Sequence, residues 1–218
     1  MTRRTLVLLT SLIALFAFAG GAFVYEQQRA VTAALAVGEG DALVRPHAPI
    51  MGSKDAPVTI VEFFDPSCEA CRSFYPIVKQ IMGMFPNHVR LVLRYTPLHQ
   101  GSDEAVRILE SARLQGKFEP VLEVLVARQP EWAFHGAPDI AKAWAFAGST
   151  GLDVERAKRD AASPAITRVL EVDLADVKAN AIQRTPTFFV NGKPLTSFGP
   201  QQLYELVRQE VERSKPSS

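Results

Sequence analysis

Cysteine is scarce in this chain. Cys68 and Cys71 are the two cysteines among 218 residues. A scaffold held together by several disulfide bonds is therefore excluded. The chain has to bury an apolar core instead, and its length and 47% hydrophobic composition suffice for one domain, or for one domain with an insertion.

An excess of charge of either sign is also missing. Lys and Arg number 24 and Asp and Glu number 23, so the formal net charge is +1. The sequence contains no basic block interleaved with aromatic residues, which is the usual signature of a nucleic-acid surface. We therefore expect no nucleic-acid partner.

The N-terminus differs from the rest of the sequence. Arg3 and Arg4 precede residues 6–25, which carry no charge. This stretch is either a cleaved secretory signal, with Ala17-Phe18-Ala19 as its small-x-small cleavage site, or an uncleaved signal-anchor helix. Its length favours the anchor. Both alternatives predict a periplasmic or other extracytoplasmic protein, and the second ties it to the inner membrane through residues 6–25.

The order of apolar patterns predicts an α/β domain after a linker at residues 26–45. Residues 58–64 form a near-continuous β-prone run, typical of a strand buried on both faces. Residues 68–85 carry apolar side chains at helical spacing, with a kink expected at Pro76. Residues 89–95 alternate in polarity and predict a second strand, parallel to the first because crossovers are right-handed.

Helical patterns then continue from about residue 99 to residue 184, with Ser102 as the expected cap of the first helix. This block predicts a helical insertion. The chain ends with a β-prone run at residues 187–190, an Asn191-Gly192 hairpin turn, a return strand at 195–198 and a helix at 201–213.

The two cysteines form the motif Cys68-Glu69-Ala70-Cys71 between the first strand and the first helix. Free N–H groups and the partial positive charge of a helix N-terminus stabilise a thiolate, which is the nucleophile of disulfide exchange. We therefore expect Cys68, at the exposed cap, to attack. Cys71 lies one turn further along and is expected to resolve the mixed disulfide.

A cysteine pair has two other common uses in proteins. A zinc or copper site needs about four ligands, and the available histidines, at positions 47, 88, 99 and 135, have no paired spacing. A purely structural disulfide would close too small a loop to stabilise the fold much. We predict redox chemistry with no metal and no organic cofactor, since the dithiol itself carries the electrons.

Three segments together resemble a known family. Residues 56–65 (APVTIVEFFD), the motif at 68–71 and residues 185–192 (TPTFFVNG) are similar to the DsbA-type thioredoxin-fold proteins, which are exported thiol–disulfide oxidoreductases. The resemblance covers roughly residues 46–212. It implies a thioredoxin-like domain over residues 46–218 with the helical insertion at about 99–184. It also implies protein substrates with cysteines or disulfides and a membrane redox partner that recycles the dithiol.

The resemblance also implies further site residues. Pro186 matches the family's cis-proline, which packs against the dithiol, and Thr185 precedes it and is expected to contact the cysteines. Together they are candidate substrate-binding residues. Glu62 occupies the position of a buried acid, whose raised pKa would let it exchange a proton with Cys71. A solvent-facing carboxylate at the strand edge is the alternative for Glu62.

The residues between the cysteines depart from the most oxidising members of the family, which have Pro-His there. Glu69 is expected to oppose the Cys68 thiolate, so Glu69 and Ala70 predict a moderate potential and an enzyme that reduces or isomerises disulfides. Thr185 also resembles the residue found in the reductase and isomerase branch of the family, where Thr is common before the cis-proline. The alternatives are a DsbA-like oxidase, or a non-catalytic copper-binding or holdase module.

Some other side chains have both a functional and a structural interpretation. Trp132, Phe134 and Trp144 could line a substrate groove, but aromatic residues of this kind are more often core. His99 could donate a proton near the dithiol, although a surface histidine is the simpler interpretation. Arg72 could favour the thiolate, or it could be a solvated side chain.

Overall fold

The computed structural model describes residues 42–215, and within them five strands form a single sheet. The strands are β1 Ile50–Met51, β2 Val58–Phe64, β3 Val89–Tyr95, β4 Thr187–Val190 and β5 Lys193–Pro194. Their order across the sheet is β1-β3-β2-β4-β5. β2 pairs with β3 in parallel, as predicted, and with β4 in antiparallel orientation.

Eight helices accompany this sheet in the described residues. They are α1 Glu69–Met84, α2 Ser102–Leu114, α3 Phe118–Ala127, α4 Gln129–Trp132, α5 Ile140–Gly148, α6 Val154–Ala161, α7 Pro164–Ala179 and α8 Pro200–Ser214. Helices α2 to α7 all lie between β3 and β4 along the chain. The result is the mixed α/β thioredoxin-like fold that the sequence predicts.

The predicted signal or anchor helix at residues 6–25 and most of the predicted linker at 26–45 lie outside the described residues. Within residues 42–215, none of the helices has the length and apolar character needed to cross a membrane.

Strand β2 is buried along its whole length, and its side chains alternate between two apolar clusters. Val58, Ile60 and Phe64 pack into the cluster that also contains both cysteines. Val61 and Phe63 pack into a second cluster on the other face of the sheet. Because side chains two apart in a strand share a face, this alternation puts Glu62 on the same side as the cysteines.

Two local predictions need correction. The return strand expected at residues 195–198 is wrong, because β5 follows the Asn191-Gly192 turn at once and ends at Pro194. Ser102 does not cap α2: Gly101 is the cap residue, and the Ser102 hydroxyl donates to Asp65. Helix α1 continues through Pro76, whose side chain is exposed, and the kink expected there stays a prediction.

A buried ionic cluster joins β3 to α7. Arg94 has no exposed surface, and its guanidinium donates to Asp173 at 2.7 Å and to Asp176 at 2.6 Å. His47 Nε2 lies 2.7 Å from Asp173, and Arg45 forms two hydrogen bonds with Asp176. This cluster ties the chain segment before β1 to the sheet and to the last helix of the insertion.

We expect Asp173→Ala to destabilise the protein by about 3–5 kcal/mol, because it leaves the Arg94 guanidinium buried with one carboxylate fewer. Chemical denaturation of the full chain measures this. The matched control is Glu123→Ala, which removes the partner of Lys79 in an exposed ion pair and is expected to cost about 1 kcal/mol or less. Equal losses in the two variants would contradict the structural role assigned to the buried cluster.

Candidate active site

The two cysteines lie where β2 passes into α1. Residues 65–67 form the turn, Cys68 is the N-cap residue of α1, and Cys71 lies within the first turn of that helix. Cys68 is 6% exposed and Cys71 is fully buried, and neither is in a disulfide. The sulfur nearer to solvent is therefore the one at the helix cap, as expected from the sequence.

Hydrogen bonding stabilises the thiolate of Cys68. A hydrogen bond from the Cys71 thiol contributes most to lowering the pKa of Cys68 to about 5, and Thr185 and the backbone N–H groups of Cys71 and Ala70 add to it. Partial burial opposes this shift. At neutral pH the Cys68 sulfur of the reduced protein is therefore a thiolate.

Cys71 has the opposite character. Burial, together with the hydrogen bond to Cys68, raises the pKa of the Cys71 thiol far above its ordinary value. Its sulfur accepts a hydrogen bond from the Asp65 backbone N–H at 3.5 Å. Cys71 therefore stays protonated and donates to Cys68, so the two thiols divide into one anion and one proton donor.

The Thr185–Pro186 peptide bond is cis, and Pro186 is buried. Cys68 Sγ lies 3.3 Å from the carbonyl oxygen of Thr185, to which it donates a hydrogen bond when it is protonated. Strand β4 begins at the next residue and pairs with β2, which brings the start of β4 to the dithiol. Thr185 and Pro186, more than 110 residues from the cysteines in sequence, thus lie beside Cys68.

Glu62 is buried beneath this site, with 1% of its surface exposed. Neither of its carboxylate oxygens has a hydrogen-bond partner among the described residues. Burial, and after it the negative charge of Cys68, raises the pKa of Glu62 to about 8. The alternative of a solvent-facing carboxylate is therefore excluded by the structure, and Glu62 exchanges its proton near neutral pH.

Asp65 is a site residue that the sequence analysis did not identify. Its fully buried carboxylate accepts hydrogen bonds from the backbone N–H groups of Ser67, Leu98 and His99 at 2.8–3.1 Å. The His99 ring also contacts it, with 2.7 Å between Nδ1 and Oδ2. Asp65 thereby fastens the turn before Cys68 to the loop after β3. Its place at the end of a buried strand was the available signal.

Gln129 is a second residue that the sequence analysis did not identify. It is 2% exposed, and its Nε2 donates to the carbonyl oxygens of Pro66 at 2.8 Å and Cys68 at 3.0 Å. Its Oε1 accepts a hydrogen bond from Arg72 Nε at 3.0 Å. Arg72 is thus half-buried and bonded to Gln129. No motif marks Gln129, which lies in the insertion.

Glu69 does not face the dithiol in the way that its place between the cysteines suggested. Its side chain is 70% exposed and lies 3.7 Å from His135, and the largest contributions to the pKa of Cys68 come from other groups. Ala70 contributes to the site through its backbone N–H. The expected opposition between Glu69 and the thiolate is therefore not one of the main influences on Cys68.

The three aromatic residues of the insertion have different surroundings. Trp132 is fully buried, and its indole N–H donates to the Leu125 carbonyl at 2.9 Å. Trp144 is half-buried against the same core, whereas Phe134 is 53% exposed. Trp132 is therefore core, as the structural interpretation held.

Among residues 42–215, no group of three or more His, Cys, Asp or Glu side chains has an arrangement that could hold a metal ion.

The chain is similar to known proteins in both sequence and structure. A family model described as Thioredoxin matches residues 45–209. A solved thioredoxin-like oxidoreductase from Silicibacter pomeroyi DSS-3 is 30% identical, with a TM-score of 0.70, and the match covers 82% of this chain and 100% of that one. Oxidised BdbD from Bacillus subtilis is 26% identical, with a TM-score of 0.68, covering 76% of this chain and 93% of that one.

One relative with a similar sequence is named for a different activity. The Na(+)/H(+) antiporter NhaA of Herminiimonas arsenicoxydans is 36% identical over 146 residues, which are 67% of this chain and 22% of the antiporter. The chain thus spans less than a quarter of that relative's length. The transport activity that its name states is not assigned to this chain.

The raised pKa of Glu62 predicts a specific pH dependence of stability. The folded state holds this proton more tightly than the unfolded state, whose pKa is near 4.5, so the stabilisation is complete below that pH and is lost as the pH rises to about 8. Glu62→Gln removes this titration. In the reduced protein, we expect the difference in free energy of unfolding, variant minus wild type, to increase by on the order of 3–5 kcal/mol from pH 4.5 to pH 8.

Denaturant unfolding of the reduced full chain at several pH values measures this difference. Glu119→Gln, at an exposed position of α3, is the control and should run parallel to the wild type at all pH values. A constant offset between Glu62→Gln and the wild type over this range would contradict the buried, titrating carboxylate.

Proposed function

The chain belongs to the thioredoxin family, among its DsbA-like protein thiol–disulfide oxidoreductases, and from this premise we propose that it is an exported enzyme that exchanges disulfides with protein substrates at an intermediate potential. The observation that carries the proposal is the pair of unequal sulfurs at the start of α1. Cys68 has a pKa of about 5, and Cys71 is a buried thiol that donates to it.

The proposed electron transfer takes place between the dithiol and the substrate sulfurs alone. The Cys68 thiolate attacks one sulfur of a substrate disulfide and displaces the other as a thiolate, which forms a mixed disulfide. Cys71 then loses its proton and attacks Cys68. The second substrate sulfur leaves, and a Cys68–Cys71 disulfide remains. Two electrons have passed to the substrate, and the reverse sequence forms a substrate disulfide.

Glu62 is the proposed proton acceptor for the second step. Cys71 cannot become a nucleophile at neutral pH without giving up its proton, since burial raises the pKa of its thiol. Glu62 lies on the face of β2 that is directed towards the cysteines, and it interacts electrostatically with both of them. With a pKa of about 8, it can take up or return a proton near neutral pH.

Thr185 and Pro186 are the proposed substrate-positioning residues. The Thr185 carbonyl is directed at Cys68 Sγ, so a substrate sulfur bonded to Cys68 would arrive next to the start of β4. Backbone groups at this point can pair with an extended substrate segment whatever its sequence, because the main chain is common to all proteins.

The pKa of Cys68 supports the intermediate potential. A value of about 5 lies between the nucleophilic cysteines of thioredoxin, at about 7, and of DsbA, at about 3.5. The more stable the thiolate, the more stable the reduced form, and the stronger the dithiol is as an oxidant. The dithiol is therefore proposed to reduce or isomerise substrate disulfides at least as readily as it forms them.

Net disulfide formation is the second candidate. It is favoured by two observations: the lowered pKa of Cys68, and the exposed side chain of Glu69, which is not among the main contributions to that pKa. A stabilised thiolate is a good leaving group, which helps the transfer of the disulfide from Cys68–Cys71 to a substrate.

Equilibration with glutathione separates these candidates. For the full chain we expect a potential between about −270 mV and about −120 mV, the values of thioredoxin and DsbA. A value at the upper end would favour the oxidase, and a value below the range would contradict the intermediate potential. Stoichiometric copper binding without any exchange would instead favour the copper-binding alternative.

The Cys71→Ser variant tests the order of attack. Without the resolving thiol, we expect Cys68 to accumulate mixed disulfides with substrates and with a membrane redox partner when the full chain is expressed in the extracytoplasmic space. Non-reducing electrophoresis with mass spectrometry identifies the trapped proteins. The control is Cys68→Ser, which should trap far fewer, because Cys71 is buried and protonated. Equal trapping by both variants would reverse the proposed roles.

A further inference from the structure

Gln129 makes an unusual set of contacts for a residue of the helical insertion. Its amide nitrogen donates to two carbonyl oxygens of the active-site turn, those of Pro66 and Cys68. Its amide oxygen accepts from Arg72, which follows Cys71. The side chain is 2% exposed, and all three of these partners belong to the segment that carries the dithiol.

The two carbonyl groups frame the N-terminus of α1. The Cys68 carbonyl also accepts the first intrahelical hydrogen bond, from the Arg72 backbone N–H at 3.1 Å. Its orientation therefore sets the direction of the first helical turn. Gln129 fixes that carbonyl and the one two residues earlier, so the turn between them cannot rotate without breaking a buried hydrogen bond.

The orientation of this turn matters for the thiolate. Backbone N–H groups of Ala70 and Cys71, in the same first turn, help to lower the pKa of Cys68, as does the Cys71 thiol. These donors act over hydrogen-bond distances, and their contribution falls steeply when the angle or distance changes. A residue that fixes the turn therefore also fixes the strength of thiolate stabilisation.

Gln129 is itself held rigidly. It is the first residue of α4, and Trp132 at the other end of this short helix is fully buried with its indole N–H bonded to the Leu125 carbonyl. The insertion thus presents Gln129 from a packed core and not from a loose loop.

We propose that Gln129 is a positioning residue through which the helical insertion sets the redox properties of the dithiol. Its amide holds the Pro66 and Cys68 carbonyls so that the donors of the first turn of α1 face the Cys68 sulfur. This inference rests on the proposed function for its biological meaning, but the pKa of Cys68 can be measured without any exchange reaction.

The test replaces the amide while keeping the length of the side chain. In Gln129→Met both donated hydrogen bonds are lost, and we expect the pKa of Cys68 to rise by about half a unit to one unit. The equilibrium with glutathione should then shift about three- to tenfold towards the disulfide, because the reduced form has lost part of its stabilisation. Ultraviolet absorbance of the thiolate reports the pKa, since the full chain has no other cysteines.

Gln115→Met is the matched control. Gln115 lies just after α2 and also bonds a backbone segment through both ends of its amide, donating to the Asp153 carbonyl and accepting from the Asp153 N–H, each at 3.0 Å. It contacts no residue of the active-site turn through these bonds. We expect this variant to lose stability while the pKa of Cys68 and the glutathione equilibrium stay as in the wild type.

Each outcome decides the proposal. A normal pKa and a normal equilibrium in folded Gln129→Met would overturn it, and Gln129 would then be structural only. If that variant does not fold, the uncharged Gln129→Asn, whose shorter amide cannot reach both carbonyls, must raise the pKa of Cys68, and an unchanged value overturns the proposal. A wild type that does not equilibrate with glutathione would contradict the proposed function, while the pKa comparison would still test the positioning role.

Discussion

The site depends on an unequal division of one proton between two sulfur atoms. Cys71 keeps its proton because it is fully buried, and it uses that proton to stabilise the charge on Cys68. If both sulfurs were exposed, their pKa values would be similar and neither would be a preferred nucleophile. The position of Cys68 at the helix cap and of Cys71 one turn inside produces this difference, since Cys68 keeps 6% of its surface exposed and Cys71 keeps none.

The turn that carries the dithiol is held from two directions. Asp65 fastens it to the loop after β3, and Gln129 fastens it to α4 of the insertion. Both side chains are buried and take part in several hydrogen bonds, so each would leave unsatisfied groups behind if the turn moved. The low pKa of Cys68 requires such rigidity, because its stabilising donors have to stay within hydrogen-bond geometry while the sulfur changes between thiolate and disulfide.

Sequence patterns were sufficient for the parts of the fold that repeat regularly. Strand β2 and the parallel strand β3 followed from apolar runs and alternation, and the dithiol from its spacing and its place before a helix. The proximity of Thr185 and Pro186 to Cys68 came from the family resemblance, because no local pattern links residues so distant in sequence. Gln129 could not be predicted, since its role arises from tertiary contacts with the Pro66 and Cys68 carbonyls and its own segment carries no motif. The misplaced return strand has a local cause, because β-prone residues continue beyond the point where pairing stops.

The electrostatic coupling between Cys68 and Glu62 links electron transfer to proton transfer. The negative charge on Cys68 exists only in the reduced protein, and that charge raises the pKa of Glu62. Reduction therefore favours a protonated Glu62, and oxidation, which removes the charge, favours release of that proton. The titration of Glu62 thereby limits the number of buried negative charges to one at a time. Two unpaired anions in the same apolar cluster would destabilise the folded state strongly, because each would lose its hydration. A buried carboxyl without a hydrogen-bond partner destabilises the fold above its pKa. At this position, however, it is the proposed proton acceptor of the buried Cys71 thiol.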